Sequence, residues 1–505
     1  MSHFLRRSCG AVLAYAVVSQ GALADVTASD VWADWQAYFT QMGYTVNGEQ
    51  SVSGAVTTIS DMTLAMALPE EEGQFVIKVP EMTLGDNGDG TVSIGFPDSF
   101  PMSVTGNAEG EEFSADVVYA LDGLDMVVSG TPDDMTYTYT ANSMAVSLDN
   151  IQVDGQPVPR EILDASMTMT GLTGSSQMRI RDGRDIKQSF AVTALTYGLA
   201  FDDPESGETG KIDGKLDQLV MDSDSVIPAD FNMSDPAALY EAGFAFSGRF
   251  TYASGQTNIA GTSKGEAFSM SSQSEGGQFG ASLDAQRIAY DINQNSTRLA
   301  VTTADLPFPI EIAMTNAGLK FELPVQQSEE IQPFAFGLNL TDFTMSDVLW
   351  GIFDPAGALP RDPATIALNS TGTAKVLMNI FDPEVAEDLT GEAPGELHSL
   401  KITELLVSLV GARLTGDGDF TFDNTNTQQP GGMPVPAGEA NLQLVGANAL
   451  IDKLIGMGVI SDNDALGARM MMGLMAVPGD APDTLNSTIK FTEDGQILAN
   501  GQRIK

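Results

Sequence analysis

The chain has 505 residues, with 68 Asp and Glu against 24 Lys and Arg, for a formal net charge of −44. A field that negative repels phosphate backbones and anionic headgroups at long range, which argues against nucleic acid as a partner. Hydrophobic residues reach 43% and charged residues only 18%, so a real core can form and composition does not read as disordered.

Residues 1–24 read as an export signal. Arg6 and Arg7 form a basic head, Cys9 to Val18 is a short apolar run, and Ala22-Leu23-Ala24 supplies the small residues of a cleavage site. The expectation is cleavage after Ala24 and a periplasmic product. Cys9 is the only cysteine, so that product would have no thiol and no disulfide. No later segment stays apolar for the ~18 residues of a spanning helix; Arg413 and Arg469 interrupt the two best stretches. An aromatic content of 7% also fits poorly with the aromatic girdles of an outer-membrane barrel.

The clearest helix is expected over Ser29 to Met42, capped by Thr27 or Ser29, with Val31, Trp35, Phe39 and Met42 on one face. From about Thr58 the period becomes two. Phe75 to Val79 leads through Gly85-Asp86-Asn87-Gly88-Asp89-Gly90 into Val92, Ile94 and Phe96, and Thr136 to Thr140 and Ser166 to Thr170 alternate similarly. The strongest run is Phe308, Ile310, Ile312 and Met314, then an expected turn at Asn316-Ala317-Gly318, then Leu319, Phe321 and Leu323. Phe334, Phe336, Leu338 and Leu340 follow, and all are expected on one inward face, with Glu311, Lys320, Glu322 and Asn339 opposite. Short helices are expected at Ser346 to Phe353, Ala449 to Gly458 and Ala465 to Ala476. A hairpin around Asp494-Gly495 closes the chain. The fold class is therefore mainly β: elongated antiparallel sheets, stacked or curled into a groove, with a few covering helices. Residues 25–505 read as one unit with candidate joints near 202–208, 324–333 and 383–396.

Chemistry-bearing motifs are sparse. With one histidine beyond the signal, His398, and no mature cysteine, no metal site and no cofactor are expected. Gly85 to Gly90 lacks the first carboxylate of a calcium loop, and Phe96 stands where its closing Glu belongs, so a plain turn is expected. Gly261-Thr262-Ser263-Lys264-Gly265 matches the nucleophile-elbow pattern, but strand-like sequence follows it where a helix is required. Pairs such as Glu70-Glu71, Glu111-Glu112 and Glu329-Glu330 could serve glycoside hydrolysis, yet nothing singles one out among 68 acids. Met457, Met470, Met471, Met472 and Met475 crowd the C-terminal helices, which suits core filling or a surface accepting acyl chains or partners.

Leu414 to Asp423, Pro436 to Leu442 and Asp494 to Gln502 resemble elements of an uncharacterised family of exported alphaproteobacterial proteins, known only as a domain of unknown function. More distantly, the long sheet is similar to large AsmA-like envelope proteins that handle lipid. The resemblance implies a periplasmic, mainly β protein and transfers no active-site residue. The expected function is non-catalytic: an envelope protein binding lipid or another apolar ligand along a sheet groove. The alternatives are a scaffold or interaction module contacting envelope proteins, and a hydrolase using Ser263 or a carboxylate pair.

Overall fold

The computed structural model describes residues 25–67, 74–108, 111–204, 206–229, 236–378, 394–425 and 434–504. The export segment 1–24, the Glu70-Glu71 pair and residues 383–393 of the third candidate joint lie outside them. The chain is mostly β, with 66% strand against 11% helix. The 27 strands among the described residues form one antiparallel sheet, as alternating apolar and polar residues between glycine-rich turns dictate.

The N-terminal strands are β1 (Thr45–Ser53), β2 (Val56–Ala67), β3 (Gln74–Asp86), β4 (Val92–Gly95), β5 (Ser99–Ala108), β6 (Glu111–Asp122), β7 (Asp125–Thr131) and β8 (Asp134–Val153). After the short β9 (Gln156–Pro157) come three long strands: β10 (Leu163–Ile180), β11 (Gly183–Asp202) and β12 (Thr209–Pro228). The next five are β13 (Ala245–Tyr252), β14 (Ser254–Ser263), β15 (Glu266–Ser274), β16 (Gly277–Leu283) and β17 (Arg287–Thr303). A plain meander follows through β18 (Ile310–Pro324), β19 (Gln332–Met345), β20 (Ala364–Val376), β21 (Gly395–Leu409), β22 (Ala412–Asp423) and β23 (Val435–Val445). The C-terminal edge is built by β24 (Val477–Pro478), β25 (Thr484–Phe491), β26 (Ile497–Ala499) and β27 (Gln502–Arg503).

One six-strand arrangement occurs twice. β3 pairs by its C-terminal end with β4 and by its N-terminal end with β5; β5 pairs β6, β4 pairs β7, and β8 receives both. β12 relates in the same way to β13 and β14, β14 to β15, β13 to β16, and β17 receives both. In each case two short strands end to end take the place of one long strand.

The breaks between these short strands fall on a line that crosses the long strands at mid-length. Along it the backbone turns left-handed at Asp61, Gly123, Gly171, Gln218, Gly276, Ser296 and Asp342. Register is kept across the line: Val192↔Leu219 and Ala194↔Asp217 lie either side of it on one pair of strands, and Asn295↔Asn316 and Thr297↔Met314 on another. The facing nevertheless flips. Met169 and Leu172, Val192 and Leu195, and Leu216 and Leu219 are each three residues apart, yet all belong to one apolar cluster. Strict alternation would put the members of each pair on opposite faces. This line is a crease in the sheet.

The crease corrects one expectation. Asn316-Ala317-Gly318 is not a hairpin turn; β18 runs straight through it. The change of phase between Met314 and Leu319 that suggested a turn is the crease itself. As expected, Ile310, Ile312, Met314, Leu319, Phe321 and Leu323 share a face with Phe334, Phe336 and Leu338 through the pairings of β17, β18 and β19. Phe308 lies just before the strand.

Five helices are described: α1 (Ala28–Gln41), α2 (Pro236–Glu241), α3 (Asp347–Phe353), α4 (Ala447–Gly456) and α5 (Asp462–Met475). Thr27 caps α1 in a reciprocal box with Asp30. The buried face of α1 is Ala28, Val31 and Trp32, with Trp35 packed beside it. Phe39 instead meets Tyr38 at a tilt and Tyr44 edge-on at the helix end. Around α1 lies the main core, including Ile59, Met62, Val79, Met82, Leu84, Val92, Val128, Met135 and Tyr137. The helix meets β3 through Ala28 N–H to Asp86 and β12 through Gln41 to the Pro228 carbonyl. One helix about 10 Å wide reaching so many strands requires the sheet to curl around it.

Candidate functional site

Burial along the creased strands defines a trough. On the apolar face Leu172 and Val192, beside the crease, are 6% and 3% exposed, whereas Phe201 at the end of β11 is 45% exposed. Every member of the Leu172–Val192 cluster comes from the sheet or its turns, so the sheet covers itself there. The crease is the floor and the strand ends are the rims.

Past β12 the apolar lining carries a row of rings across four strands. Phe250 and Phe279 lie 5.5 Å apart, Phe279 and Tyr290 6.2 Å, and Tyr290 and Phe321 4.9 Å. α2 approaches this row: burial, and secondarily Tyr290, pushes the phenol of Tyr240 above its ordinary range. The apolar face continues through Leu319–Leu338–Leu368–Leu405 and Leu414–Leu444–Leu485, each set in direct cross-strand register. None of the nine strand residues expected to face inward from Ile310 to Leu338 is fully buried, and Leu323 and Phe336 are exposed. This half of the trough has an apolar lining without a closed core.

The opposite face is polar and bonded to itself. Asn316 donates to Asn293 at 3.0 Å, Asn369 to Asn339 at 3.2 Å and to Glu404 at 2.8 Å. Lys187 pairs with Asp224 and Arg287 with Glu322 across strands. Water covers one face, so an apolar ligand can gain only from the other.

The N-terminal end of the trough is occupied by α1 and fastened by a buried ion pair that the sequence did not reveal. Arg184 on β11 reaches Asp34 at 2.6 Å, both side chains 4% exposed, and its guanidinium lies 5.3 Å from the Tyr38 ring centre. It also donates to the Asp34 carbonyl at 3.2 Å. Burial raises the Asp34 carboxyl above its usual value, and Arg184 partly opposes this. Alongside, Trp35 donates to the Tyr137 hydroxyl at 3.0 Å, and burial pushes that phenol up to about 12. The one sequence clue is Asp34 itself, an acid on the side of α1 that packs inward.

The other candidates fall apart in space. Ser263 ends β14 in a two-residue hairpin turn, with Lys264 and Gly265 both left-handed, and its hydroxyl donates to Glu208 at 3.1 Å. His398 sits on β21, six strands away and so about 29 Å across the sheet. Glu329 pairs with Lys375. Gly85 to Gly90 forms a turn in which Asp89 accepts from Thr91, and among the described residues no cluster of potential metal ligands exists. Residues 202–204 and 206–208 belong to the hairpin loop joining β11 and β12. Residues 324–333 link β18 and β19, which remain paired. No described helix is long and apolar enough to cross a membrane.

Comparison of the chain with family models, with curated proteins and with solved structures finds no match. The segments that carried the family resemblance are β22, β23 and the terminal hairpin, which are structural elements.

Proposed function

We propose that this is a non-catalytic protein of the cell envelope, exported to the periplasm, that binds the acyl chains of lipids along the open half of its trough. The observation that carries the reading is the burial contrast on one face of one sheet. The apolar lining is closed under α1 and stays half-covered from β13 to β25. Exposed apolar surface on that scale is costly in water and gains by a ligand. An acyl chain suits it because the lining offers apolar contact without charges or convergent donors, and the acidic outer face supports solubility.

Native mass spectrometry of protein purified without detergent tests this. Co-purifying phospholipid or fatty acid is the expected result, and Ile312→Glu with Phe321→Glu should abolish it while circular dichroism keeps its strand signal. A clean apo mass in both proteins, with no displacement of a fluorescent fatty acid, would leave the scaffold reading. An esterase lost in Ser263→Ala would displace both.

A further inference from the structure

Among the described residues most of the strongly exposed apolar side chains, Val52 and Ile331 apart, gather at one rim of the open half. On α5, Leu466 is 65% and Met470 71% exposed, and Met471 and Leu474 extend the same stripe. Leu466, Met470 and Leu474 recur every four residues, so they form a ridge along one helix face. Val459 and Val477 flank α5 in the chain, and α3 presents Val348, Ile352 and Phe353. These elements share a strand end of the sheet. α3 follows the C-terminus of β19, α4 starts directly after β23 with Gly446 as its N-cap, and the backbones at Gly411 and Gly446 touch, with Pro360 also against Gly411. The patch is continuous with the trough: exposed Ile366 and Leu409 belong to the lining at this rim, and the lining residue Ser487 donates to the Met475 carbonyl of α5.

We infer that this rim is the place where the protein touches a lipid bilayer, and that it does so by apolar insertion into a neutral, zwitterionic surface. The charge pattern selects that occupant. Two arginines beside the patch are already spent within the chain, Arg361 on Asp347 and Arg469 on Asp452. The first turn of α5 carries Asp462 and Asp464, and its last turn carries no basic residue. An interfacial helix drawn to anionic lipid carries several Lys and Arg on its polar side; α5 has a single Arg469, already paired with Asp452, and the net charge of −44 repels such a surface. Flexible, polarizable methionines suit a disordered acyl boundary. The inference rests on the acyl-binding reading only for its purpose, the passage of chains between bilayer and trough; the contact itself can be measured separately.

Flotation with phosphatidylcholine vesicles, and with vesicles also containing phosphatidylglycerol, is the test. The protein should float with the neutral vesicles equally at low and high salt, and less with the anionic vesicles at low salt, recovering as salt screens the repulsion. Leu466→Glu with Met470→Glu should weaken neutral-vesicle binding roughly a hundredfold, at about tenfold for each large side chain withheld from the apolar phase. Both sites are exposed, so the fold should hold, and displacement of a fluorescent fatty acid from the trough should be unchanged. Failure to bind neutral vesicles, a requirement for anionic lipid, or equal binding by the variant would overturn the inference. So would self-association abolished by the same substitutions without vesicle binding, which would make the rim a contact between copies. Loss of fatty-acid displacement with vesicle binding intact would sink the trough reading alone.

Discussion

The strands up to β12 and those after it have the same alternation and the same polar back, yet they end differently. In the first region a single helix lies against the apolar face, and Val31, Ile59, Leu84, Val92 and Val128 are completely buried. In the second, comparable side chains such as Ile312, Leu319 and Phe321 stay half-covered. Apolar patterning by itself does not make a core; a covering layer does. Stability should therefore be concentrated in the first region and binding capacity in the second.

Truncation of one aromatic side chain in each region should have very unequal effects. Trp32→Ala should cost about 3–5 kcal/mol, whereas Phe321→Ala should cost only about 1 kcal/mol, because its site is already half-solvated. Urea unfolding followed by circular dichroism checks both, and equal losses would refute the division. Arg184→Met should cost about 3–5 kcal/mol by stranding Asp34 among apolar groups. Pairing it with Asp34→Leu should return much of that, since the pair fastens α1 less by net energy than by forbidding other positions. A double variant no better than Arg184→Met would contradict this.

The crease gives a smaller effect. A Cβ on Gly171 would stand 2.4 Å from the Thr193 hydroxyl at a φ of +62°. Gly171→Ala should thus lose about 1–2 kcal/mol. Gln218→Gly, at φ +51°, should be neutral or stabilising by up to about 1 kcal/mol, which an ordinary strand glycine would not be. Thermal melts distinguish the two.

The least effect is on pH, and its sign differs between the buried Asp34 and the lowered acids of the second region. In the second region Asp354 accepts the Leu359 and Ala358 N–H groups, and Asp464 accepts from the Ser461 hydroxyl and backbone, which hold both below the ordinary value of 3.8. Their contribution is complete above 3.8 and is lost as pH falls through their depressed values. Asp34 is raised, so its charged form costs stability as pH rises from 3.8 through its folded value, and acidification relieves that cost. Acid should therefore loosen the Asp354 and Asp464 sites before the Asp34 site. Trp350 fluorescence should change at higher pH than that of Trp32 and Trp35, read with Trp350→Phe as the control.

Much of this was legible in the residues. Period-two alternation marked strands and faces from Thr58 onward, Thr27, one of the two caps expected, starts α1, and Asp494-Gly495 makes the turn between β25 and β26. The lone candidate nucleophile, Ser263, already looked like a hairpin residue, because strand-like sequence followed it. The crease was written in the sequence as a three-residue spacing, Met314 to Ala317 on β18, but a phase change looks the same whether the chain reverses or creases. Only the neighbouring strands distinguish the two, since a crease needs left-handed residues aligned on many strands at once. The Arg184–Asp34 pair was hidden because its members are 150 residues apart. Whether the apolar face is shut or open was equally out of reach, for a physical reason. Side-chain period tells each residue which way to point, while burial depends on what lies opposite, and that is decided by where α1 comes to rest.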